Sequence, residues 1–195
     1  MKNTVIDTLI ARRSTRRYKP EPILSEELID IIEAGRYAPS GGNSQTNHLI
    51  VITNQEVLKK LVELVTQEFA KMQWNPDMYK SMQNSIKASQ TGNYNFLYSA
   101  PALVVVANRK TYPNAMADSA CVLQNMMVAA TSLSVGSCWI NQLHWLDENP
   151  VIREMMLSLG MKEEETVCGA LALGYPEVIH NKPLERTGNP VTFIE

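Results

Sequence analysis

The sequence predicts an α+β fold. Segments in which apolar residues recur at helical spacing alternate irregularly with short runs rich in valine, isoleucine and leucine. The chain has 195 residues, of which 45% are hydrophobic, which is ordinary for a globular protein and enough for a sizeable core. Because no internal repeat, low-complexity tract or interdomain linker is visible, one domain is expected over residues 1–195.

Apolar periodicity predicts the helices. The second helix begins at Ser25, a favourable N-cap, and ends close to Gly35. The helix over residues 114–132 has apolar residues on nearly every side, which indicates that it is deeply buried or shared with a second subunit. The other predicted helices are residues 4–11, with a single apolar face, residues 55–72, a segment near Met82, and residues 150–159.

Short apolar runs predict the strands, which are residues 49–52, 102–107, 138–140 and 167–173. The run 102–107 is continuously apolar and contains three valines, as expected of a strand that is buried on both faces. Cys138 lies in one of these strands, so we interpret it as an inert buried thiol.

Two segments lack a clear pattern. Residues 73–98 carry five aromatic side chains among polar ones, and they could form either a lid over a site or a peripheral packing arm. The tail from Tyr175 onward is polar and contains three prolines, so we do not expect it to fold on its own. Residues 191–194 could add as an edge strand to another surface.

Charge, cysteine and histidine patterns argue against several classes of function. A formal net charge of -2 gives no drive towards nucleic acid or an anionic membrane, so neither is expected as a partner. The three cysteines form no Cys-x-x-Cys pair, no signal-peptide core is visible, and no apolar run approaches the roughly 20 residues that span a bilayer. A cytoplasmic protein is therefore expected. His48, His144 and His180 lack the spacing of metal ligands.

The first stretch that suggests chemistry is basic. Four arginines and two aliphatic hydroxyl residues, Ser14 and Thr15, lie within residues 12–18. Guanidinium groups offer paired donors that suit a phosphate. The alternative is that these cations only satisfy carbonyl groups in the last turn of the first helix.

The second stretch is the loop over residues 38–45, which contains Gly41 and Gly42. It lacks the spacing of a phosphate-binding loop. Because the two glycines carry no side chain, the backbone N–H groups of the loop could approach a flat ligand. The side-chain amides of Asn43 and Gln45 would offer further donors and acceptors. A plain surface turn is the alternative. A site rich in Arg, Ser, Asn and Gln, with no acid–base pair, favours chemistry carried out by a cofactor.

Together these stretches resemble the FMN-dependent nitroreductase family. That family has an Arg-x-Ser-x-Arg/Lys segment after its first helix and an Ala-Pro-Ser-x-x-Asn-x-Gln loop about twenty-five residues later. Here the two motifs stand at residues 12–16 and 38–45, and weaker matches follow at residues 136–140, 172–176 and Arg186. The resemblance covers essentially the whole chain.

The resemblance implies roles for the basic residues. Arg12 and Ser14 match phosphate ligands, and Arg13 contributes by backbone or side chain. Arg16 matches the basic residue that faces the pyrimidine edge of the flavin, where a cation stabilises the reduced ring. Arg186 matches a late basic residue that closes on the phosphate.

The resemblance also implies contacts with the flavin ring. The loop residues reach the flavin from the other subunit, Asn93 is a polar ring contact, and the segment after the third strand lies beside flavin N5, where a backbone N–H donates. These implied ring contacts are Pro39, Ser40, Asn43, Gln45, Asn93, Ile140, Asn141 and Gln142. Many members have glycine where Asn141 and Gln142 stand.

For the whole protein, the resemblance implies a mostly antiparallel sheet flanked by helices, in an intertwined homodimer with exchanged C-terminal tails. The implied activity is an FMN-dependent oxidoreductase that takes hydride from NADH or NADPH and reduces nitroaromatics, quinones or similar small acceptors by a ping-pong mechanism. The alternative is a non-catalytic flavin-binding or storage protein of the same fold.

Overall fold

The computed structural model describes residues 3–179 and 183–195. Four strands form one sheet in the order β1-β2-β4-β3, and each neighbouring pair is antiparallel. The strands are β1 His48–Ile52, β2 Ala102–Arg109, β3 Gly136–Ile140 and β4 Glu165–Gly174. The predicted α+β class and mostly antiparallel sheet are confirmed.

Helices cover both faces of this sheet. Alternate residues of β2 point to opposite faces, so that Leu103 and Val105 pack in one core and Val104 and Val106 in the other. All four of these side chains are fully buried, as predicted for this strand. The helices are α1 Thr4–Ala11, α2 Ser25–Arg36, α3 Gln55–Ala70, α4 Lys80–Gln90, α5 Ala115–Ser132, α6 Gln142–Trp145 and α7 Pro150–Ser158.

Most predicted elements are present, with three differences. Ser25 is the first residue of α2 and not its cap, because Leu24 occupies the N-cap position and supplies no side-chain hydrogen bond. The one-turn helix α6 was missed, since four residues are too few to show a helical period. Residues 73–98 are largely a packing arm, because Ile86, Phe96 and Leu97 are buried in the core beside α3.

Several apolar surfaces face solvent in the single chain. Helix α1 has no buried residue, and Val5, Ile6 and Ile10 are each more than half exposed. In the tail, Phe193 is 84% and Ile194 96% exposed, and residues 191–194 form no strand. In the part of the chain that the structure describes, no helix is long and apolar enough to cross a membrane.

Candidate functional site

The basic stretch lies along the open edge of β3. The Thr15 N–H donates to the Ser137 carbonyl at 2.8 Å, and Ser14 forms a parallel bridge with Ser137. Helix α1 ends at Ala11, with no basic residue in its last turn, and Arg12 is its C-cap, whose backbone N–H donates to the Thr8 carbonyl. The phosphate role and the helix-end role of the arginine side chains both stay predictions.

Tyr18 anchors this stretch to the sheet. Its ring is only 5% exposed, and its hydroxyl donates to the carbonyls of Thr15, at 2.8 Å, and Ala172, at 3.3 Å. Tyr18 also forms a bridge with Pro176. A buried tyrosine with a satisfied hydroxyl fixes the backbone on either side of it. The arginines are thus carried by a rigid segment.

Arg12 and Arg16 act on the same neighbour, Cys138. Burial raises the pKa of the Cys138 thiol, and Arg16 and Arg12 offset this only in part. Cys138 therefore stays protonated, which supports its interpretation as an inert thiol. Burial acts to lower the pKa of Arg16, but the nearby Cys138 and a hydrogen bond with Tyr98 outweigh it, so the pKa is raised. The Arg16 guanidinium carbon lies 5.9 Å from the centre of the Tyr98 ring.

A cavity of about 410 Å³ opens beside the basic stretch. Five residues of the basic stretch and one aliphatic residue line it, and Arg12 is not among them; they are Arg13, Ser14, Thr15, Arg16, Arg17 and Val178. A concave surface with this donor set can hold an anion such as a phosphate.

Ile140 ends β3, and Asn141 and Gln142 follow it with their polar side-chain groups engaged. The Asn141 side-chain oxygen accepts from the Trp139 indole at 2.6 Å. The Asn141 N–H donates to the Gln142 side-chain oxygen at 3.1 Å. The Gln142 amide donates to the Tyr94 hydroxyl at 2.6 Å. Both side chains therefore have partners within the subunit.

Two further predicted residues are exposed. Asn93 is exposed, next to Tyr94, whose hydroxyl lies 2.7 Å from Ser85 Oγ. Arg186 is exposed in the tail. His180 lies outside the described residues.

The loop that carries Pro39, Ser40, Asn43 and Gln45 precedes β1 and is folded on itself. Asn43 and Gln45 adopt positive φ angles of 54° and 50°, and their side chains are exposed. Four of the loop's N–H groups donate within the subunit, those of Gly41, Asn43, Ser44 and Gln45. Because these N–H groups already have acceptors within the subunit, they are not available to a flat ligand, contrary to the expectation from the sequence.

A buried carboxylate on α5 holds this loop. Asp118 accepts from the Gly41 N–H at 3.1 Å and from the Tyr112 hydroxyl at 2.8 Å. Tyr112 also donates to the Gly41 carbonyl at 3.2 Å. Sequence reasoning missed Asp118 and Tyr112, as it missed Tyr98 beside Arg16. One signal was available, since Asp118 is the only charged residue of α5, a long helix with apolar residues on nearly every side.

The two predicted motifs therefore sit at opposite edges of one sheet. The basic stretch borders β3, whereas the loop leads into β1. The order β1-β2-β4-β3 separates these edges by three strand spacings, roughly 14 Å. One chain holds a basic segment at one edge and a polar loop beside the other. This arrangement defines an α+β protein whose two candidate binding segments lie apart in the single chain.

Comparison with known proteins identifies the group to which this arrangement belongs. The model of the nitroreductase family matches residues 9–175. A relative from Archaeoglobus fulgidus, whose name includes NAD(P)H nitroreductase, is 31% identical over 173 residues, 87% of this chain and 83% of that protein. The chain belongs to the nitroreductase family.

Solved structures support the same family assignment. A nitroreductase with bound FMN from Bacteroides fragilis is 37% identical, covers 100% of both chains and superposes with a TM-score of 0.88. A second, with bound FMN from Desulfitobacterium hafniense, is 25% identical over 100% of both chains, with a TM-score of 0.85.

Proposed function

We propose that this protein is an NAD(P)H-dependent FMN oxidoreductase, whose bound flavin takes a hydride from NADH or NADPH and passes it to a nitroaromatic, a quinone or a similar small acceptor in a ping-pong cycle. The observation that carries the proposal is the rigid basic segment beside a cavity of about 410 Å³ at the β3 edge. The FMN-bound relatives and the NAD(P)H in the relatives' names support it.

The donor set at the β3 edge fits FMN. In this proposal Arg12 and Ser14 hold the phosphate, with Arg13 beside them, because guanidinium and hydroxyl groups match its oxygens. Arg16 is held by Tyr98 and supplies a positive charge for the pyrimidine edge of the ring. Since Cys138 is a protonated thiol, it does not compete for these cations.

The remaining contacts are proposed from both subunits. Ile140, Asn141 and Gln142 stay proposed contacts of the ring, beside which the Asn141 and Gln142 side chains and the Asn141 N–H already have partners within the subunit. Asn93 and Arg186 stay proposed contacts of the ring and the phosphate. The partner's loop completes the site through its side chains, those of Pro39, Ser40, Asn43 and Gln45.

A homodimer with exchanged tails follows from the same proposal. A site whose parts border opposite edges of the sheet in one chain can close if a second copy brings its loop to the first copy's basic segment. The apolar face of α1 and the exposed tail offer surfaces that such a partner would cover. The edge of β1 is open to an added strand from residues 191–194.

One FMN-binding domain over residues 1–195 and a cytoplasmic location are further parts of the proposal. The cytoplasmic location is supported by three unpaired thiols.

The test is an absorbance spectrum of the purified protein, before and after anaerobic addition of NADH or NADPH. Flavin bands that bleach within seconds are the expected result. Flavin bands that persist would favour the storage alternative. A colourless protein that also fails to bind added FMN would refute the proposal.

Size-exclusion chromatography with light scattering tests the dimer. The full chain should elute with twice the mass of one chain. A chain lacking residues 183–195 should form a weaker dimer, which on dilution dissociates at a higher protein concentration than the full-length dimer does. A monomeric full chain that binds FMN tightly would contradict the shared site.

A further inference from the structure

The loop over residues 39–45 is held by a network that reaches into the core. Asp118 is 6% exposed and accepts from the Gly41 N–H with both oxygens, at 3.1 and 3.2 Å. Its Oδ2 also accepts from the Tyr112 hydroxyl at 2.8 Å and lies 3.4 Å from Ser44 Oγ. Ser44 Oγ in turn donates to the Tyr112 hydroxyl at 3.0 Å. The Asp118 carboxylate thus contacts polar groups at both ends of a short turn, which are the Gly41 N–H and Ser44 Oγ.

The loop needs such a tie because its backbone conformation is unfavourable. Gly42, Asn43 and Gln45 have φ angles of 59°, 54° and 50°, and a left-handed residue other than glycine is disfavoured. Gly41 favours glycine for a different reason, because a larger residue there would displace neighbouring side chains. A Cβ there would collide with the Asn114 amide and lie 2.8 Å from the Tyr112 hydroxyl. The turn is therefore fitted closely to the residues around Asp118.

We propose that Asp118, with Tyr112, is a positioning residue that holds the loop in the shape that binds FMN in the partner's site. This inference rests on the proposed function. Asp118 does not touch the ligand, and it acts by fixing where Ser40, Asn43 and Gln45 present their side chains. A loop that binds in a strained conformation gains affinity if that conformation is already imposed before the ligand arrives.

A purely structural role makes a different prediction. If the network only stabilises the fold, removing it lowers the melting temperature and leaves the affinity of the folded dimer for FMN unchanged. If Asp118 positions the loop, the affinity falls in dimers that are still fully folded. The comparison therefore needs affinity and stability measured on the same variants.

The matched control is Asn125→Ala. Asn125 lies on the same helix, is half-buried, and donates to the Ala34 carbonyl at 3.0 Å, so its loss removes a comparable bond without touching the loop. FMN is titrated into flavin-free, full-length dimers, with quenching of flavin fluorescence as the signal. Asp118→Ala should raise the Kd at least about tenfold, equivalent to about 1.4 kcal/mol. Asn125→Ala should leave the Kd within about twofold of the wild type.

Two further variants keep the test decisive if Asp118→Ala folds poorly. Tyr112→Phe removes one donor but keeps the Gly41 bond, so a smaller rise in Kd is expected. Asp118→Asn keeps an acceptor for the Gly41 N–H and should recover part of the lost affinity. Equal Kd values for wild type and all three loop variants, in intact dimers, would overturn the inference.

Hybrid dimers test whether the effect crosses the interface. Arg12→Ala is placed in one subunit and Asp118→Ala in the other, with two affinity tags to isolate the hybrid. If the loop serves the partner's site, both changes fall in one site and the other binds FMN with wild-type affinity. If Asp118 acts within its own subunit, neither site keeps wild-type affinity, and the inference is refuted. A wild-type dimer that binds no FMN would instead refute the proposed function itself.

Discussion

Replacing Arg12 by alanine should weaken FMN binding without unfolding the protein. Arg12 is half-buried and follows the last residue of α1, on the segment that is tied to β3. Among the described residues no carboxylate forms an ion pair with it. The charge of Arg12 acts on the thiol of Cys138, but burial keeps that thiol neutral. The guanidinium charge is therefore available to the phosphate.

The size of the effect follows from this environment. An ion pair between exposed groups is worth about 0–1 kcal/mol, but a hydrogen bond to a charged group contributes about 1.5–3 kcal/mol. Arg12 is half-buried and has no competing carboxylate, which places it in the second range. The Kd for FMN should rise about 10- to 140-fold.

Fluorescence titration of flavin-free dimers measures this change. Lys19→Ala is the matched control, because Lys19 is a cation on the same segment whose ion pair with Glu21, at 3.4 Å, is half exposed. Its Kd should stay close to the wild-type value. If Arg12→Ala and Lys19→Ala bind FMN equally well, Arg12 does not belong to the phosphate site.

Three other changes test separate parts of the structure. Asn43→Gly keeps a residue that tolerates φ 54° but removes the amide, so FMN should bind more weakly to an intact dimer. Gln142→Leu should lower the free energy of unfolding by about 1–3 kcal/mol in urea titrations, because the half-buried Asn141 N–H loses its acceptor and the Tyr94 hydroxyl loses a donor, whereas exposed Gln67→Leu should not. Burial raises the pKa of Glu165, but hydrogen bonds from His48 and the Lys162 N–H lower it overall, below its ordinary value of 4.5. Its stabilisation is therefore complete well above pH 4.5 and is lost as the pH falls through the lowered pKa, so Glu165→Gln should flatten the acid limb of stability against pH.

Elements with a regular period could be predicted from the sequence. Continuous burial of β2 followed from its apolar run, and α5 was recognised by its apolar surface. The start of α2 was misplaced because Ser25 is a good cap by residue type, yet the backbone turns one residue earlier, at Leu24. Element type follows from local pattern, whereas its boundary depends on the chain around it.

The candidate site could be predicted only as a set of residue types. The direction of the Gln142 amide depends on Tyr94, which lies 48 positions away in the sequence and meets it only in the folded chain. A single charged residue in an apolar helix needs a hydrogen-bond partner when it is buried, so the sequence indicates that Asp118 has one. It does not indicate which residue this is, because Gly41 lies 77 positions away. Local patterns therefore indicate that a polar group needs a hydrogen-bond partner, but they do not identify that partner.

A site divided between two subunits couples cofactor binding to assembly. A ligand that binds the dimer and not the monomer stabilises the dimer by RT ln(1 + [L]/Kd), about 2.7 kcal/mol per site when FMN is present at about 100 times its Kd. The reverse also holds, so FMN affinity should fall once dilution separates the subunits. Serial dilution followed by flavin fluorescence, with and without excess FMN, measures both effects. If the midpoint of dissociation is the same in both series, FMN does not bridge the subunits, and the parts at the β1 and β3 edges belong to separate sites.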